Sequence, residues 1–585
     1  MKSLQKLNKF LWKYKWRILL GFIFTICANW VQVYSVTYIR EAINTVEELL
    51  KNFKDKGTDN LDLLKQGLMY ASLAFFFFKV LGGALTVGTR QMIIVASRYI
   101  EFDLKNVIYD KYQKLSLSFY KKHKTGDLMN RITEDVGLVR MYLGPGIMYP
   151  IDLVSRVIII AYFMIQIDKQ LTLYTLAPLP ILSLLIYNVA RNINKKSKRV
   201  QEQQSTISSS VQDTFAGIRV IKSFNSEEYI KAKYEVEADE YQKRALNLAQ
   251  IQAAFGPLMV VVVGVSNLVI LYLGGLKYIE GTMDIGSIAQ FFLYLNMLIW
   301  PFTSLGWITM VVQRAEASMS RINEFLNAET DVEEKQLSDY KVEGTIEFKN
   351  VSYVYENTGI KALDNVSFKI NKGETLAILG KTGSGKSTIA LLVARSLEPT
   401  SGEILIDGKN IHDINVQSIR NEIGYVPQEA FLFSDSLTNN ILFGSDEVGE
   451  EIAEKFAKKA VVHDNIDNFK ERYETVVGER GVTLSGGQKQ RVSIARALVN
   501  DPKILIFDDS LSAVDTETEE QILNNLSSEI DGKTTIIITH RVSSAKRADQ
   551  ILVLEDGHVL ENGSNSDLLN KHGYYYELYN KQLLE

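Results

Sequence analysis

The chain has 585 residues, more than one hydrophobic core usually organises, so at least two domains are expected. Its net charge of -4 is small for this length and carries no basic excess, so nucleic acid is not expected as a partner. The single cysteine, Cys27, lies within an apolar run. One cysteine excludes an intrachain disulfide and a thiolate metal site.

The N-terminal residues 1–16 carry several lysines and no acidic residue, and Leu4, Leu7 and Leu11 recur at helical spacing. This pattern predicts a basic amphipathic helix that lies on the membrane surface. The apolar run that follows is longer than the hydrophobic segment of a signal peptide. We therefore expect the N-terminus to be retained, on the cytoplasmic side.

Long apolar runs dominate the first half of the chain and predict an integral, multi-pass protein of the cell membrane. Four runs contain no charged residue, and two more are interrupted only by Lys79 and by Asp152 with Arg156. The six predicted spans cover residues 18–39, 66–89, 141–167, 171–190, 245–276 and 285–313. The long connections 90–140 and 191–244 are strongly basic, which places them, together with the C-terminal domain, in the cytoplasm.

The charges within the predicted spans allow two interpretations, because ionisable groups in a membrane face a bundle interior or a cavity. Asp152 and Arg156 are four residues apart on one helix face and can pair with each other. A self-paired structural role is the simpler interpretation, and contact with a transported compound is the alternative. For Lys79 both interpretations stay open, since the sequence shows no partner.

A polar, acidic linker at 328–344 separates the transmembrane domain, 17–327, from a soluble α/β domain, 345–585. In the latter, a glycine-rich loop lies between an apolar strand and an apolar helix, as a phosphate-binding loop requires. Its backbone N–H groups and the helix N-terminus would cradle the phosphates of ATP. The loop residues are Gly380, Lys381, Thr382, Gly383, Ser384, Gly385, Lys386, Ser387 and Thr388. Lys386 is predicted to contact the β- and γ-phosphates, and Ser387 to ligate Mg²⁺.

A second apolar run begins at Ile504 and ends in two carboxylates, Asp508 and Asp509. A buried parallel strand that ends in this way supports phosphoryl chemistry. Asp508 is predicted to hold Mg²⁺, and Asp509 to lie beside the attacking water. ATP and Mg²⁺ are therefore the expected cofactors.

The segment Leu484-Ser-Gly-Gly-Gln488 closely resembles the signature of ATP-binding cassette (ABC) proteins, and the other motifs of that family occur in order. The resemblance implies that Tyr355 stacks on adenine, that Gln428 senses the γ-phosphate and ligates the metal, and that His540 holds the γ-phosphate. It also implies that each ATP lies between the phosphate loop of one cassette and the signature of a second. The signature residues that would bind the partner's ATP are Ser485, Gly486, Gly487 and Gln488.

Other segments resemble exporters of this family over essentially the whole chain. Thr125–Leu128 and Gly217–Lys222 match the two cytoplasmic turns, Thr475–Gly481 matches the segment that couples to the spans, and Ser512–Asp515 matches a dimer-contact loop. The fold implied is an α-helical transmembrane domain of six helices followed by an α/β P-loop cassette. The chain would be one half of a dimer, with a second half-transporter as its partner and membrane lipid around it.

The function implied is ATP-driven export of amphipathic small molecules or lipids, with ATP hydrolysis coupled to transport. An ATP-gated regulator or channel subunit is the alternative from another class.

Asp509 departs from the family pattern, in which Glu usually occupies this position. A general base must lie within roughly 3 Å of its proton, and a displacement of about 1 Å costs on the order of a hundredfold in rate. In this family, the Asp variant commonly marks the weakly hydrolysing chain of a heterodimer. Because His540 is retained, a slow homodimer is the alternative.

Overall fold

The computed structural model describes residues 3–56, 61–329, 337–478, 484–510 and 516–584. The chain divides into two compact units. The first contains Met1–Gln113 and Gly126–Ala328, and the second contains Lys114–Thr125 and Glu329–Glu585. The second unit thus combines the C-terminal domain with a short piece of the first cytoplasmic connection.

Two predicted segments lie partly outside the described residues, and a third lies wholly outside them. They are positions 330–336 of the linker, positions 479–481 of the segment Thr475–Gly481, and the whole dimer-contact loop 512–515. Their predicted roles stay predictions.

Helices make up the first unit. In chain order they are α1 (Asn8–Lys13), α2 (Lys15–Tyr34), α3 (Val36–Lys56), α4 (Leu61–Lys114), α6 (Thr125–Asn130), α7 (Val136–Leu143), α8 (Pro145–Ile167), α9 (Lys169–Leu176), α10 (Pro178–Ala216), α11 (Ile218–Ser223), α12 (Glu227–Ile279) and α13 (Ile285–Leu326). The short helix α5 (Leu117–Lys122) belongs to the second unit.

Several of these helices are long and apolar enough to cross a membrane. Within the described residues, four tracts meet this criterion by length and composition: Lys15–Lys51, Lys65–Lys114, Thr125–Ile167 and Ile285–Leu326. A shorter apolar helix covers Val263–Ile279. These tracts follow from the uncharged runs of the sequence, because a helix satisfies its own backbone hydrogen bonds in lipid.

The short connections between spans are closed by aspartate caps. The Asp168 carboxylate accepts a hydrogen bond from the N–H of Leu171 at 2.7 Å, and it pairs with Lys277 at 2.6 Å. Asp284 caps α13 in the same way and pairs with Arg40 at 2.6 Å. Each carboxylate therefore satisfies a free helix N-terminus and also ties it to another helix.

The N-terminal segment forms a 3₁₀ turn, Ser3–Leu7, followed by α1, where the sequence predicted one amphipathic helix. Its buried side chains are Leu4, Leu7 and Phe10. Trp12 and Trp16 are each 69% exposed. The leucines and Phe10 thus pack on the protein itself. The exposed indole rings are of the kind found where a segment lies on a membrane surface.

Asp152 and Arg156 form the ion pair that their spacing predicts. Arg156 Nη2 lies 3.0 Å from Asp152 Oδ1, and both side chains are more than four-fifths buried. The pair borders a cavity of about 270 Å³ that is also lined by Asn29 and Thr89. Lys79 Nζ lies 5.3 Å from the ring centroid of Phe75. Self-pairing is therefore present, and contact with a transported compound stays a prediction.

We expect Arg156→Met to lower the free energy of unfolding by about 3 kcal/mol, because it leaves the Asp152 carboxylate buried without its partner. The double variant Asp152→Asn/Arg156→Met should recover most of this loss. Thermal unfolding of the chain in lipid nanodiscs measures both effects. Arg98→Met is the control: Arg98 is exposed, and Glu101 keeps its pairs with Lys105 and Arg140, so stability should change by less than about 1 kcal/mol. A double variant no more stable than Arg156→Met would contradict this account.

Two sheets form the core of the second unit. The strands are β1 (Ile346–Tyr355), β2 (Ile360–Ile370), β3 (Thr375–Gly380), β4 (Ser401–Ile406), β5 (Lys409–Asn410), β6 (Ile423–Val426), β7 (Ile504–Asp508), β8 (Thr534–Ile538), β9 (Gln550–Glu555) and β10 (His558–Gly563). A four-stranded antiparallel sheet has the order β2-β1-β4-β5. A six-stranded sheet has the order β10-β9-β3-β8-β7-β6, parallel except for β10.

Ten helices cover these sheets and their connections. They are α14 (Lys386–Val393), α15 (Val416–Asn421), α16 (Leu437–Ile441), α17 (Glu450–Lys459), α18 (His463–Asp467), α19 (Gly486–Leu498), α20 (Thr516–Ile530), α21 (Val542–Ala545), α22 (Asn565–Lys571) and α23 (Tyr574–Leu584) among the described residues.

The strands β7 and β8 are buried along their whole length, as the continuous apolar runs predict for central parallel strands. In the register of the sheet, Asp508 at the end of β7 pairs with Ile538 of β8, and Ile538 pairs with Ile378 of β3. The carboxyl ends of the three strands therefore meet at one edge. Open parallel sheets bind their ligands at this edge.

Candidate nucleotide site

The glycine-rich loop turns sharply between β3 and α14. Gly383 and Gly385 have φ values of +86° and +98°, a conformation that residues with a Cβ atom rarely adopt. A Cβ on Gly385 would lie only 2.2 Å from the carbonyl oxygen of Ala362 on β2. Close backbone packing and left-handed geometry thus both require glycine at position 385.

Lys386 is held inside this loop. Its side chain is 94% buried, and Nζ donates to the carbonyl oxygens of Gly380 at 2.9 Å and Lys381 at 2.8 Å. Burial lowers the pKa of the Lys386 ammonium. The buried Ser384 Oγ has no hydrogen-bond partner among the described residues. A buried cation and an unpaired hydroxyl beside a helix N-terminus fit an anionic phosphate.

The remaining loop side chains point in different directions. Thr388 is buried and lies 3.2 Å from the hydroxyl of Tyr355, between Oγ1 and Oη. Thr382 is exposed. The Lys381 side chain pairs with Glu555 at 2.8 Å, so Lys381 meets the loop only through its backbone. Tyr355 and the first turn of α14 are thus in direct contact.

Asp508 faces the start of α14 from the end of β7. Its side chain is 97% buried, and Ser387 Oγ donates to Oδ1 at 2.9 Å. The Tyr425 hydroxyl of β6 donates to Oδ2 at 3.4 Å. Burial raises the pKa of Asp508, and these two hydrogen bonds oppose that rise.

The donor set of Ser387 and Asp508 fits Mg²⁺, which prefers oxygen ligands. No group of three His, Cys, Asp or Glu side chains in the described part of the chain could hold a metal by itself. Mg²⁺ is usually bound by one or two protein oxygens together with phosphates and water, and Ser387 and Asp508 supply two such oxygens.

Gln428 and Asp509 meet beside this pair. Gln428 Nε2 donates to Asp509 Oδ2 at 3.2 Å. The Gln428 carbonyl oxygen accepts from Nε2 of Gln490, a buried residue of α19, at 3.2 Å. The predicted sensor glutamine is therefore tied both to the predicted base and to the helix that follows the signature.

His540 follows β8 and is fixed by the C-terminal helix. Gln582 of α23 donates from Nε2 to the His540 carbonyl oxygen at 2.8 Å, and its Oε1 accepts from the N–H of Val542 at 2.7 Å. Burial, and then the charge of Lys386, lower the pKa of the His540 imidazole. The ring is therefore neutral at pH 7 and can donate or accept a hydrogen bond.

The signature forms the N-terminus of α19. Ser485 caps the helix: its Oγ accepts from the N–H of Gln488 at 3.3 Å, while Gln488 Oε1 accepts from the N–H of Ser485 at 2.9 Å. Ser485 and Gly486 are exposed, and Gly487 is half-buried. In the described structure, the hydrogen bonds of these residues stay within α19 and do not reach the phosphate loop.

Comparison with known proteins agrees with this arrangement. Residues 18–302 match the ABC transporter transmembrane region, and residues 363–512 match the ABC transporter domain. A probable multidrug resistance ABC transporter ATP-binding/permease protein, YheI of Bacillus subtilis (strain 168), is 34% identical over 573 residues, which is 97% of each chain. The chain belongs to the ABC transporter family.

Other relatives of this ABC exporter are similar over most of their length. The multidrug resistance-like ATP-binding protein MdlA of Escherichia coli (strain K12) is 35% identical over 85% of this chain and 84% of MdlA. An ATP-dependent lipid A-core flippase of Syntrophus aciditrophicus (strain SB) is 32% identical over 90% of this chain and 87% of the flippase. A solved bacterial Atm1-family ABC exporter with ATP bound has a TM-score of 0.77 at 26% identity, covering 98% of both chains.

These likenesses confirm the predicted fold class, a helical transmembrane domain followed by an α/β nucleotide-binding domain. They also confirm that the cassette is an ATPase coupled to transport, and that the exporter is an integral membrane protein of the multidrug and lipid type.

Sequence reasoning missed three residues that the structure brings to the site: Tyr425, Gln490 and Gln582. Tyr425 shares a short apolar strand with ordinary core residues. Gln582 lies in the last turn of the chain, where composition gives no functional signal. Only Gln490 had an indication in the sequence, because it is two residues beyond the signature.

We expect Ser485→Ala to lower the free energy of unfolding of the cassette by about 1 kcal/mol, because it removes the N-cap of α19. Ser564→Ala is a matched control, since Ser564 and Asp567 form the same capping box at α22. It should cost a similar amount. Thermal unfolding measures both. If Ser564→Ala lowers the stability and Ser485→Ala does not, the signature helix does not depend on its cap.

Proposed function

We propose that this ABC exporter is the weakly hydrolysing half of a heterodimer that exports amphipathic small molecules or lipids, with its cassette and N-terminus in the cytoplasm. The observation that carries this proposal is Asp509, a carboxylate one methylene shorter than the Glu usual in the family. The phosphate-binding loop beside it keeps every residue that the family pattern requires.

Binding of ATP rests on the residues around α14. Lys386 would exchange its two carbonyl acceptors for the β- and γ-phosphates, and the loop N–H groups would donate to phosphate oxygens. Tyr355 would stack on adenine. Ser387, Gln428 and Asp508 would hold Mg²⁺, which when bound offsets the phosphate charge.

Hydrolysis would depend on the reach of the Asp509 carboxylate. Its N–H donates to the Ile538 carbonyl oxygen at 2.9 Å, so β8 fixes the backbone at this position. A fixed backbone cannot move forward to replace the missing methylene. Gln428 would orient the water, and the neutral His540 would bind the γ-phosphate, but proton removal would stay slow.

The open N-terminus of α19 supports a dimer. Its N–H groups and helix dipole form an anion-binding end. Because the hydrogen bonds of the signature do not reach the phosphate loop of the same chain, the phosphate would come from the ATP of a second cassette. With an intact signature, this chain would complete the partner's competent site.

A homodimer is the second candidate, and one observation favours it. His540 is present, and Gln582 hydrogen-bonds its carbonyl oxygen and the N–H of Val542 two residues on. A chain that needed only to bind ATP would not require a positioned histidine. In that case two identical slow sites would drive export.

The cargo class is supported by chemistry within the first unit. Polar side chains, among them Asn29, Gln32 and Asp152, line one cavity of a largely apolar helical bundle. An amphipathic compound would match such mixed surroundings. The names of the relatives, which refer to multidrug resistance and to lipid A-core, agree with this class.

We expect the purified chain in lipid to hydrolyse ATP at a negligible rate, and Asp509→Glu to raise that rate at least tenfold wherever the chain dimerises. ATPase turnover, measured together with oligomeric mass, tests both points. Asp509→Asn, which keeps the shape and removes the charge, is the control and should not raise turnover.

Robust ATPase turnover by the unaltered chain as a dimer would contradict the weak-site assignment. The protein would then be a homodimeric exporter. If the chain is monomeric and inactive with either residue at 509, but binds ATP, the heterodimer proposal stands and the partner's site carries the hydrolysis.

A further inference from the structure

The helix α5 lies against the Tyr355 end of strand β1. Lys121 Nζ is 5.0 Å from the ring centroid of Tyr355, within the range of a cation–π contact. The next residue, Lys122, pairs with Glu356 at 2.5 Å. Two successive lysines of the first cytoplasmic connection therefore hold two successive residues of the nucleotide-binding half, within one compact unit.

Lys121 and the phosphate loop lie on different sides of strand β1. β1 lies between β2 and β4. The phosphate loop is on the β2 side, because Gly385 packs against the Ala362 carbonyl oxygen. Lys121 is on the β4 side, where it lines a cavity of about 550 Å³ with residues 396–400, the segment that leads into β4. Because Lys121 lies over one face of the Tyr355 ring, a base that stacks on Tyr355 would use the other face.

We propose that Lys121 is a positioning residue for the nucleobase: it braces Tyr355 from behind, so that the other face of the ring is held ready for adenine. The proposal rests on the stacking role of Tyr355 in the proposed function. Lys121 itself would not touch the nucleotide.

One physical effect would follow from this contact. The ammonium restricts the rotation of the Tyr355 ring, which lowers the entropic cost of ordering the ring when a base stacks on it.

The test compares Lys121→Met with Lys121→Arg and Lys124→Met in the full chain in lipid nanodiscs. The affinities of ATP and of inorganic tripolyphosphate, which has no base, are measured by displacement of a fluorescent ATP analogue. Lys121→Met should weaken ATP binding about threefold to tenfold, the range of a cation–π contact, and leave tripolyphosphate binding unchanged. Lys121→Arg should bind ATP like the unaltered chain.

Lys124→Met removes the same charge from the same segment and should change neither affinity. Equal losses in Lys121→Met and Lys124→Met, or equal losses for ATP and tripolyphosphate, would show a bulk charge effect and overturn the proposal. So would an unchanged ATP affinity in Lys121→Met.

Tyr355→Leu separates this inference from the function on which it rests. It should weaken the binding of ATP but not of tripolyphosphate. Adding Lys121→Met to it should lower the ATP affinity no further, since Lys121 then has no ring to position. If Tyr355→Leu binds ATP normally, the stacking role itself is wrong and the inference falls with it. If Tyr355→Leu binds ATP weakly and Lys121→Met binds it normally, only the inference about Lys121 is wrong.

Discussion

The hydrogen bond from Ser387 to Asp508, 2.9 Å long, joins the two chain segments on which the nucleotide site depends. Asp508 is almost fully buried at the end of β7, and a carboxylate there is tolerated only if donors reach it. Ser387 and Tyr425 are those donors. Because β3, β8 and β7 are adjacent and parallel, the loop after β3 and the carboxylate after β7 must share one edge. The order of the strands therefore determines the geometry of the nucleotide site.

Two ion pairs of the membrane half follow a related rule, in which an oppositely charged side chain takes the place of water around a carboxylate. Arg156 and Asp152 pair within one helix. Asp168 caps α9 and binds Lys277. Each pair replaces water with a defined ion pair, and the Asp168–Lys277 pair also joins the start of α9 to α12.

The loop, the carboxylate strand and the ion pair within the span could be predicted because each depends on residues close in sequence. A glycine pattern defines its own turn, and a spacing of four places two side chains on one helix face. The N-terminal segment was less predictable: its spacing matched one helix, but the structure has a 3₁₀ turn before α1, with Leu4, Leu7 and Phe10 buried.

Contacts between distant segments could not be predicted. Gln582 reaches the backbone of His540 across 42 positions, and Lys121 reaches Tyr355 from the other half of the sequence. Neither residue has a local pattern, because its role comes from the surface it meets and not from its neighbours in the chain. Gln490 and Gln582 are alike in this respect: each holds the backbone of a residue that the motifs had already identified.

Asp509 shows how these positioning contacts limit what a substitution can do. Its φ of +46° is a left-handed conformation that Asp tolerates better than most residues, and β8 holds its N–H. Gln428, itself held by Gln490, binds the carboxylate from the other side. With backbone and side chain both restrained, the length of the side chain alone decides how far the carboxylate extends. If Asp509 is the base, as proposed, these restraints would leave it little freedom to make up for its shorter side chain, and binding could then be retained while hydrolysis is slow.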